Sequence, residues 1–122
     1  EELSFSMDAD AGAGHPGFLL NKLICEGASA GFHVIGTCDT YNNVMRSLSR
    51  KALSEFEMRV VFQMSANDSA SLIDTPAANN LGLHRAIFFN GHEGWLETFR
   101  PYALPDETWL DESGRKLARL HS

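Results

Sequence analysis

Residues that commonly carry chemistry are present in this chain, but few stand at spacings that a catalytic or metal site requires. Cys25 and Cys38 form no C-x-x-C pair, and no two of the five histidines are four residues apart. His84 and His92 could approach each other across a predicted hairpin, where an exposed pair near a turn is the alternative to two metal ligands. Cys38 ends a predicted buried strand, which favours a packed thiol over a nucleophile. We therefore expect no metal site.

Motifs for phosphate binding and acyl transfer are also missing. The chain has no G-x-x-x-x-G-K-[ST] loop, so it lacks a phosphate cradle of the Walker A type. No G-x-S-x-G elbow marks a serine nucleophile. The residues alone therefore indicate a folded domain without a recognisable catalytic set.

The charge of the chain argues against a free-standing nucleic-acid binder. Its 122 residues include 10 Lys and Arg against 16 Asp and Glu, a formal net charge of −6.

The longest apolar runs are too short to span a bilayer, and two cysteines without a pairing motif favour a reduced, cytoplasmic setting. Because the first residue is Glu1, we expect the chain to be an excised segment of a longer protein.

Helix and strand signals alternate along the chain, which predicts α/β layering with a mainly parallel sheet and an antiparallel edge. Residues 1–14 are acidic and small, and they predict a flexible acidic linker. The predicted helices begin at Pro16, at Asn42 or Asn43, after the caps Ser65 and Thr75, and at Pro105. The predicted strands span residues 33–38, 58–64, 85–89 and 95–99, the last two joined as a hairpin.

A set of collinear segments resembles the FtsK/SpoIIIE-type DNA-translocating ATPases of the HerA/FtsK branch. Residues 27–40 read GASAGFHVIGTCDT, much like the family's G-R-A-A-G-I-H-L-I-x-A-T-Q-R. Residues 59–65, RVVFQMS, are similar to R-I-A-F-R-V-S, and residues 65–69, 72–74 and 77–82 resemble S-S-x-x-D-S, x-I-L-D and G-A-x-x-L-L-G. Residues 85–89 stand where the family has a G-D-M-L-F strand. Together the segments cover roughly residues 18–110.

The resemblance implies the C-terminal part of a RecA-like P-loop ATPase sheet, with flanking helices and a C-terminal β-hairpin. Residues 15–122 would be the C-terminal subdomain of the motor domain, and residues 1–14 the variable link after Walker B. The Walker A and Walker B regions precede this part in the family and are absent from this chain.

The resemblance also implies candidate site residues at the end of the predicted strand 33–38. In such motors this strand points towards the γ-phosphate, and its tip is usually Gln-Arg; here the tip is Asp39 and Thr40. An aspartate would repel the phosphate unless Mg²⁺, water or a proton intervenes, so Asp39 could instead orient the attacking water. Thr40 would lie beside the nucleotide. The alternative for Asp39 is a cap on the next helix.

Arg59 resembles the arginine with which the family stabilises phosphate charge within or between subunits. The alternative is a surface ion pair with Glu55 or Glu57. Arg46, Arg50 and Lys51 lie on the helix between Asp39 and Arg59, where they could contact DNA phosphates or a neighbouring subunit, or form a solvated helix face.

These implications favour a fragment of an ATPase that couples ATP hydrolysis to double-stranded DNA translocation. The parent would use ATP and Mg²⁺ in a ring, which we expect to be hexameric, and could be anchored to a membrane through other segments. The isolated chain would bind no cofactor, hydrolyse no ATP and form a monomer or weak dimer. The alternative is a non-catalytic, degenerate ATPase-like module used for assembly or partner binding.

Overall fold

A computed structural model describes residues 15–121, in which five α-helices accompany a three-stranded sheet. The helices are α1 (Pro16–Glu26), α2 (Tyr41–Ser47), α3 (Arg50–Ser54), α4 (Ala66–Ile73) and α5 (Glu107–Leu120). The strands are β1 (Met58–Val61), β2 (Ala86–Asn90) and β3 (Trp95–Phe99). Short 3₁₀ helices span Gly27–Ala30 and Pro76–Asn80. The predicted mixture of helices and strands is confirmed, whereas the linker predicted for residues 1–14 lies outside the described residues.

The sheet has the order β1-β2-β3, and both pairings are antiparallel. Val61 pairs with Ile87, and these two side chains meet Ile73 of α4 and Ala78 of the second 3₁₀ helix in the core. Burial of these apolar side chains, at about 1.5–3 kcal/mol for each large one, holds α4 against one face of the sheet. The β2–β3 hairpin confirms the predicted hairpin.

The predicted strand over residues 33–38 is wrong for the described structure, and so is the mainly parallel sheet. Residues 33–38 take no regular secondary structure, and Ile35 is 97% exposed. A strand is stabilised by pairing with a neighbour, and residues 15–121 place none beside this segment. Cys38 is therefore exposed rather than packed.

Helix boundaries follow capping side chains. Ser65 accepts a hydrogen bond from the Asp68 amide and Thr75 from the Ala77 amide, as predicted. Thr40, rather than Asn42 or Asn43, caps α2. The single helix predicted after Thr40 is divided into α2 and α3, because Leu48 is extended and Ser49 caps a new helix through the Ala52 amide.

The second face of the sheet is apolar and exposed. Met58, Val60 and Phe62 alternate along β1 and its continuation, and each exposes half or more of its surface. Trp95 of β3 lies edge-on to Phe88 on this face, with ring centroids 5.5 Å apart. The sheet thus has one face packed on a core and one face that residues 15–121 leave open.

Candidate functional site

Arg59 is held by backbone carbonyls instead of an ion pair. Its Nε donates to the Phe56 carbonyl at 2.9 Å, and its two terminal nitrogens donate to the Leu72 carbonyl at 2.7 Å and the Leu53 carbonyl at 2.9 Å. Three of its five N–H donors are thereby used. Leu53 and Leu72 lie in the last turns of α3 and α4, where unpaired carbonyls and the helix dipole favour a cation.

The surroundings of Arg59 are partly buried and include an acidic neighbour. Burial lowers the pKa of the Arg59 guanidinium, and the charge of Asp74 acts in the opposite direction. Arginine remains protonated at physiological pH despite such a shift. Asp74 ends α4 in the left-handed region, with φ of 61°. No salt bridge joins Arg59 to Glu55 or Glu57 in the described part of the chain, so the surface ion pair offered as an alternative is wrong for this structure.

Arg59 lines an open cleft of about 520 Å³ between α3, α4 and the β2–β3 hairpin. The lining residues are Ser54, Phe56, Glu57, Arg59, Asp74, Phe89, Gly91 and His92. At the hairpin, the Gly91 amide donates to the Glu57 carbonyl at 2.8 Å, and His92 Nδ1 lies 3.9 Å from Glu57 Oε1. A phosphate entering here would meet two carboxylates beside one guanidinium. The cleft by itself is therefore a poor anion site.

The side chains of Asp39 and Thr40 both accept hydrogen bonds from Asn43 at the start of α2. Asn43 Nδ2 donates to Asp39 Oδ1 at 2.6 Å, and the Asn43 amide donates to Thr40 Oγ1 at 3.2 Å. The Asn43 hydrogen bond is the largest of the effects that lower the pKa of the Asp39 carboxyl. Asp39 is fully exposed, and no hydrogen bond or ion pair among residues 15–121 joins it to Arg59.

The basic residues between these positions are exposed and divided between two helices. Arg46 lies in the last turn of α2, whereas Arg50 and Lys51 begin α3. The break at Leu48 and Ser49 separates Arg46 from the other two. Their exposure leaves a DNA or subunit contact open to them and equally suits a solvated face.

A glycine pattern that we did not expect at the start of a helix overlaps the beginning of α1. Residues 12–17 read GAGHPG, which matches G-x-G-x-x-G, but they follow an acidic segment rather than a predicted strand. The Gly17 amide is taken by His15 Nδ1 at 3.2 Å, so this first-turn donor is already satisfied. Residues 12–14 lie outside the described residues, and the pattern alone is a weak signal.

Two buried polar residues that were not predicted from the sequence join elements of the fold. Asn21 donates to the Gly17 and Ser47 carbonyls and accepts from the Ser49 amide at 2.7 Å, which fixes α1 to the break between α2 and α3. Ser69 donates to the Thr75 carbonyl and accepts from the Ala78 amide, joining α4 to the following 3₁₀ helix. An asparagine within an apolar helix stripe is the only signal that could have indicated the first.

The comparisons with known proteins add no family to this picture: no family model, no curated protein and no solved structure matches the chain. Across residues 15–121, no helix has the length and hydropathy to cross a membrane. The same residues contain no group of three or more His, Cys, Asp or Glu side chains placed to hold a metal ion.

Proposed function

We propose that this chain is the C-terminal subdomain of an FtsK/SpoIIIE-like ATPase, which couples ATP hydrolysis to movement of double-stranded DNA through a hexameric ring. The observation that supports it best is that neither residues 32–38 nor the outer edge of β1 has a strand partner among the described residues. Phe32 and Ile35 expose 60% and 97% of their surfaces. Both features suit a sheet completed by further strands, and the collinear motifs suit the RecA-like motor.

The energetics of these elements favour completion. Burying an exposed Phe or Ile side chain contributes about 1.5–3 kcal/mol, and pairing satisfies the backbone groups of an open edge. A strand in a parallel sheet that is covered on both faces is rich in apolar residues, and three of the four residues 32–35 are apolar: Phe32, Val34 and Ile35. The preceding Walker A and Walker B strands of the parent would be the partners.

ATP and Mg²⁺ belong to the parent in this proposal. Phosphoryl transfer depends on positioning and neutralising the phosphates, and the residues present supply no Walker A loop and a cleft that carries two carboxylates. Arg59 and Asp39 would act only beside that loop. We therefore expect the purified chain to show no ATP hydrolysis above background, and turnover reproduced in independent preparations would contradict the proposal. A cytoplasmic location is part of the same proposal.

Strand completion can be tested by amide hydrogen exchange. We expect residues 33–38 and the β1 edge to exchange rapidly in the isolated chain, because no strand covers them. Extending the chain with the segment that precedes it in the parent should protect residues 33–38, while the β2–β3 hairpin serves as the internal control with unchanged protection. Unchanged exchange at residues 33–38, or a preceding segment without a Walker A loop, would overturn the assignment.

DNA binding by the isolated chain should be weak and strongly dependent on salt, because the net charge is −6 and the locally basic segments, such as that from Arg46 to Arg59, are short. A duplex titration at low and physiological salt checks this. Changing Arg46, Arg50 and Lys51 together to Ala should weaken the residual binding, while Lys22→Ala, a single charge removal from α1, should have little effect. Tight binding at physiological salt that survives the triple change would contradict the prediction.

The second candidate is a non-catalytic ATPase-like module for assembly or partner binding. Its specific support is that Asp39, Thr40 and Arg59 all serve local structure. In the intact parent, Arg59→Ala lowers turnover roughly 10³-fold if Arg59 stabilises the transition state. A parent variant that remains folded, verified by its melting temperature, and retains full turnover would favour the module.

A further inference from the structure

Helix α5 carries an apolar stripe that the rest of residues 15–121 leaves uncovered. Trp109, Leu110, Leu117 and Leu120 expose between 52% and 79% of their surfaces. Their spacing places them on one side of the 14-residue helix, with the small Ser113 at the centre. An exposed apolar stripe of this kind marks a surface on which a partner can pack.

The charges of α5 are segregated along its length. Acidic residues occupy the first half and basic residues the second, namely Glu107, Asp111, Glu112 and then Arg115, Lys116, Arg119. Glu112 and Lys116 are four residues apart, so they lie together along one flank of the stripe. A helix that meets this flank must offer a base opposite Glu112 and an acid opposite Lys116.

We propose that α5 pairs antiparallel with α5 of a second copy of this chain. A two-fold axis level with Ser113 and Gly114 sets Leu110 opposite Leu117 of the second copy and Trp109 opposite its Leu120, while the small Ser113 residues face each other. The same axis sets Glu112 opposite Lys116 of the second copy, and Lys116 opposite its Glu112. A self-complementary contact of this kind is what two-fold symmetry requires.

The charge pattern selects the antiparallel arrangement. When two helices run in opposite directions, the same flank of each helix meets, so the Glu112 and Lys116 flanks face each other and form two ion pairs. When they run in the same direction, opposite flanks meet. The other flank carries Gly114 and Ala118 near these levels, which offer no charge to either residue.

The apolar area that the α5 stripe can bury predicts a weak dimer. The four large side chains expose roughly 450 Å² of apolar surface per copy, or about 900 Å² in the pair, which is below the ~1,200 Å² at the lower end of stable interfaces. We expect a dissociation constant on the order of 10⁻⁴ M. The pairing involves only α5 and does not depend on the translocase proposal.

The test is a charge-exchange experiment by sedimentation equilibrium of the full chain, from about 10 µM to about 500 µM. Reducing conditions prevent disulfides through Cys25 and Cys38. The wild-type chain should shift from monomer towards dimer mass. Glu112→Lys alone and Lys116→Glu alone should each weaken self-association roughly tenfold or more, because like charges then face each other. An equimolar mixture of the two variants should associate at least as tightly as wild type. The double variant should also recover wild-type association.

Both substituted positions are exposed, so unchanged circular dichroism of each variant separates lost pairing from lost folding. A wild-type chain that remains monomeric at the highest concentration overturns the proposal. So does a mixture that associates no better than its components, because the contact would then lie elsewhere, for example on the open face around Met58 and Phe62. Lys22→Glu, a matched charge reversal on α1, should leave the dissociation constant unchanged.

Discussion

Replacing Arg59 with Ala tests whether this residue holds the domain together. Its guanidinium joins the last turns of α3 and α4 to the turn before β1 through carbonyls of Leu53, Leu72 and Phe56. A buried hydrogen bond from a charged donor contributes about 1.5–3 kcal/mol, and partial exposure at Arg59 reduces this to about 1 kcal/mol each. The free energy of unfolding should therefore fall by about 3 kcal/mol in Arg59→Ala.

The assay is urea denaturation of the purified chain followed by circular dichroism, with a thermal melt beside it. A loss of about 3 kcal/mol should lower the melting temperature by roughly 10 °C for a domain of this size. Arg59→Lys should recover only part of the loss, because one ammonium cannot reach three carbonyls that a planar fork spans. Arg50→Ala removes the same charge from an exposed position and should change stability by less than about 0.5 kcal/mol.

An Arg59→Ala variant that loses under about 1 kcal/mol would refute this reasoning. That value is the usual limit for an exposed ion pair. The hydrogen bonds from Arg59 to the carbonyls would then contribute little to the free energy of unfolding. A surface or catalytic role would become the better explanation of Arg59. Equal losses for Arg59→Ala and Arg50→Ala would have the same meaning.

Three further predictions concern side chains that join elements. Asn21→Ala should cost about 2–3 kcal/mol in chemical denaturation, because it leaves a buried amide and carbonyls unpaired between α1 and the α2–α3 break. Ser69→Ala should cost about 1–3 kcal/mol, whereas Ser71→Ala, an exposed serine bonded within the same helix, should cost under about 0.5 kcal/mol. Asn43→Ala should raise the pKa of Asp39 towards 3.8, which an NMR titration measures. Because the pKa of Asp39 is lower in the folded chain than in the unfolded chain, any stabilisation from the Asp39–Asn43 hydrogen bond is fully present above pH 3.8. It disappears as the pH falls through the pKa of the folded chain.

Local signals in the sequence were the ones that predicted structure correctly. Ser65 and Thr75 cap their helices as expected, because a capping side chain needs only amides two or three residues ahead. The hairpin between β2 and β3 follows from a turn-rich loop between apolar runs. These features depend on neighbours in the chain, so they can be inferred without knowing the fold.

Features that depend on distant parts of the chain could not be inferred in this way. Residues 33–38 have the composition of a buried strand, but a strand forms only where a partner supplies the ladder, and residues 15–121 supply none. The bonding of Arg59 was equally hidden, because Leu53 and Leu72 come together only after α4 packs on the sheet. The short spacing in the sequence suggested Glu55 and Glu57 as ion-pair partners of Arg59. In the folded chain, the Arg59 guanidinium donates to backbone carbonyls instead.

The bonding of Arg59 constrains any catalytic role that the family resemblance implies. An arginine that reaches a phosphate in the parent must do so with the two N–H donors not committed to Leu53, Leu72 and Phe56, or must release at least one carbonyl when nucleotide binds. The first case couples phosphate binding to the ends of α3 and α4 without moving them. In the second case, the free energy of nucleotide binding must offset about 1 kcal/mol for each hydrogen bond that Arg59 releases. Arg59→Lys separates the two roles in the intact parent. A drop in turnover far larger than the loss of stability explains would place Arg59 at the phosphate. A drop in turnover that the loss of stability explains would leave Arg59 with a structural role only.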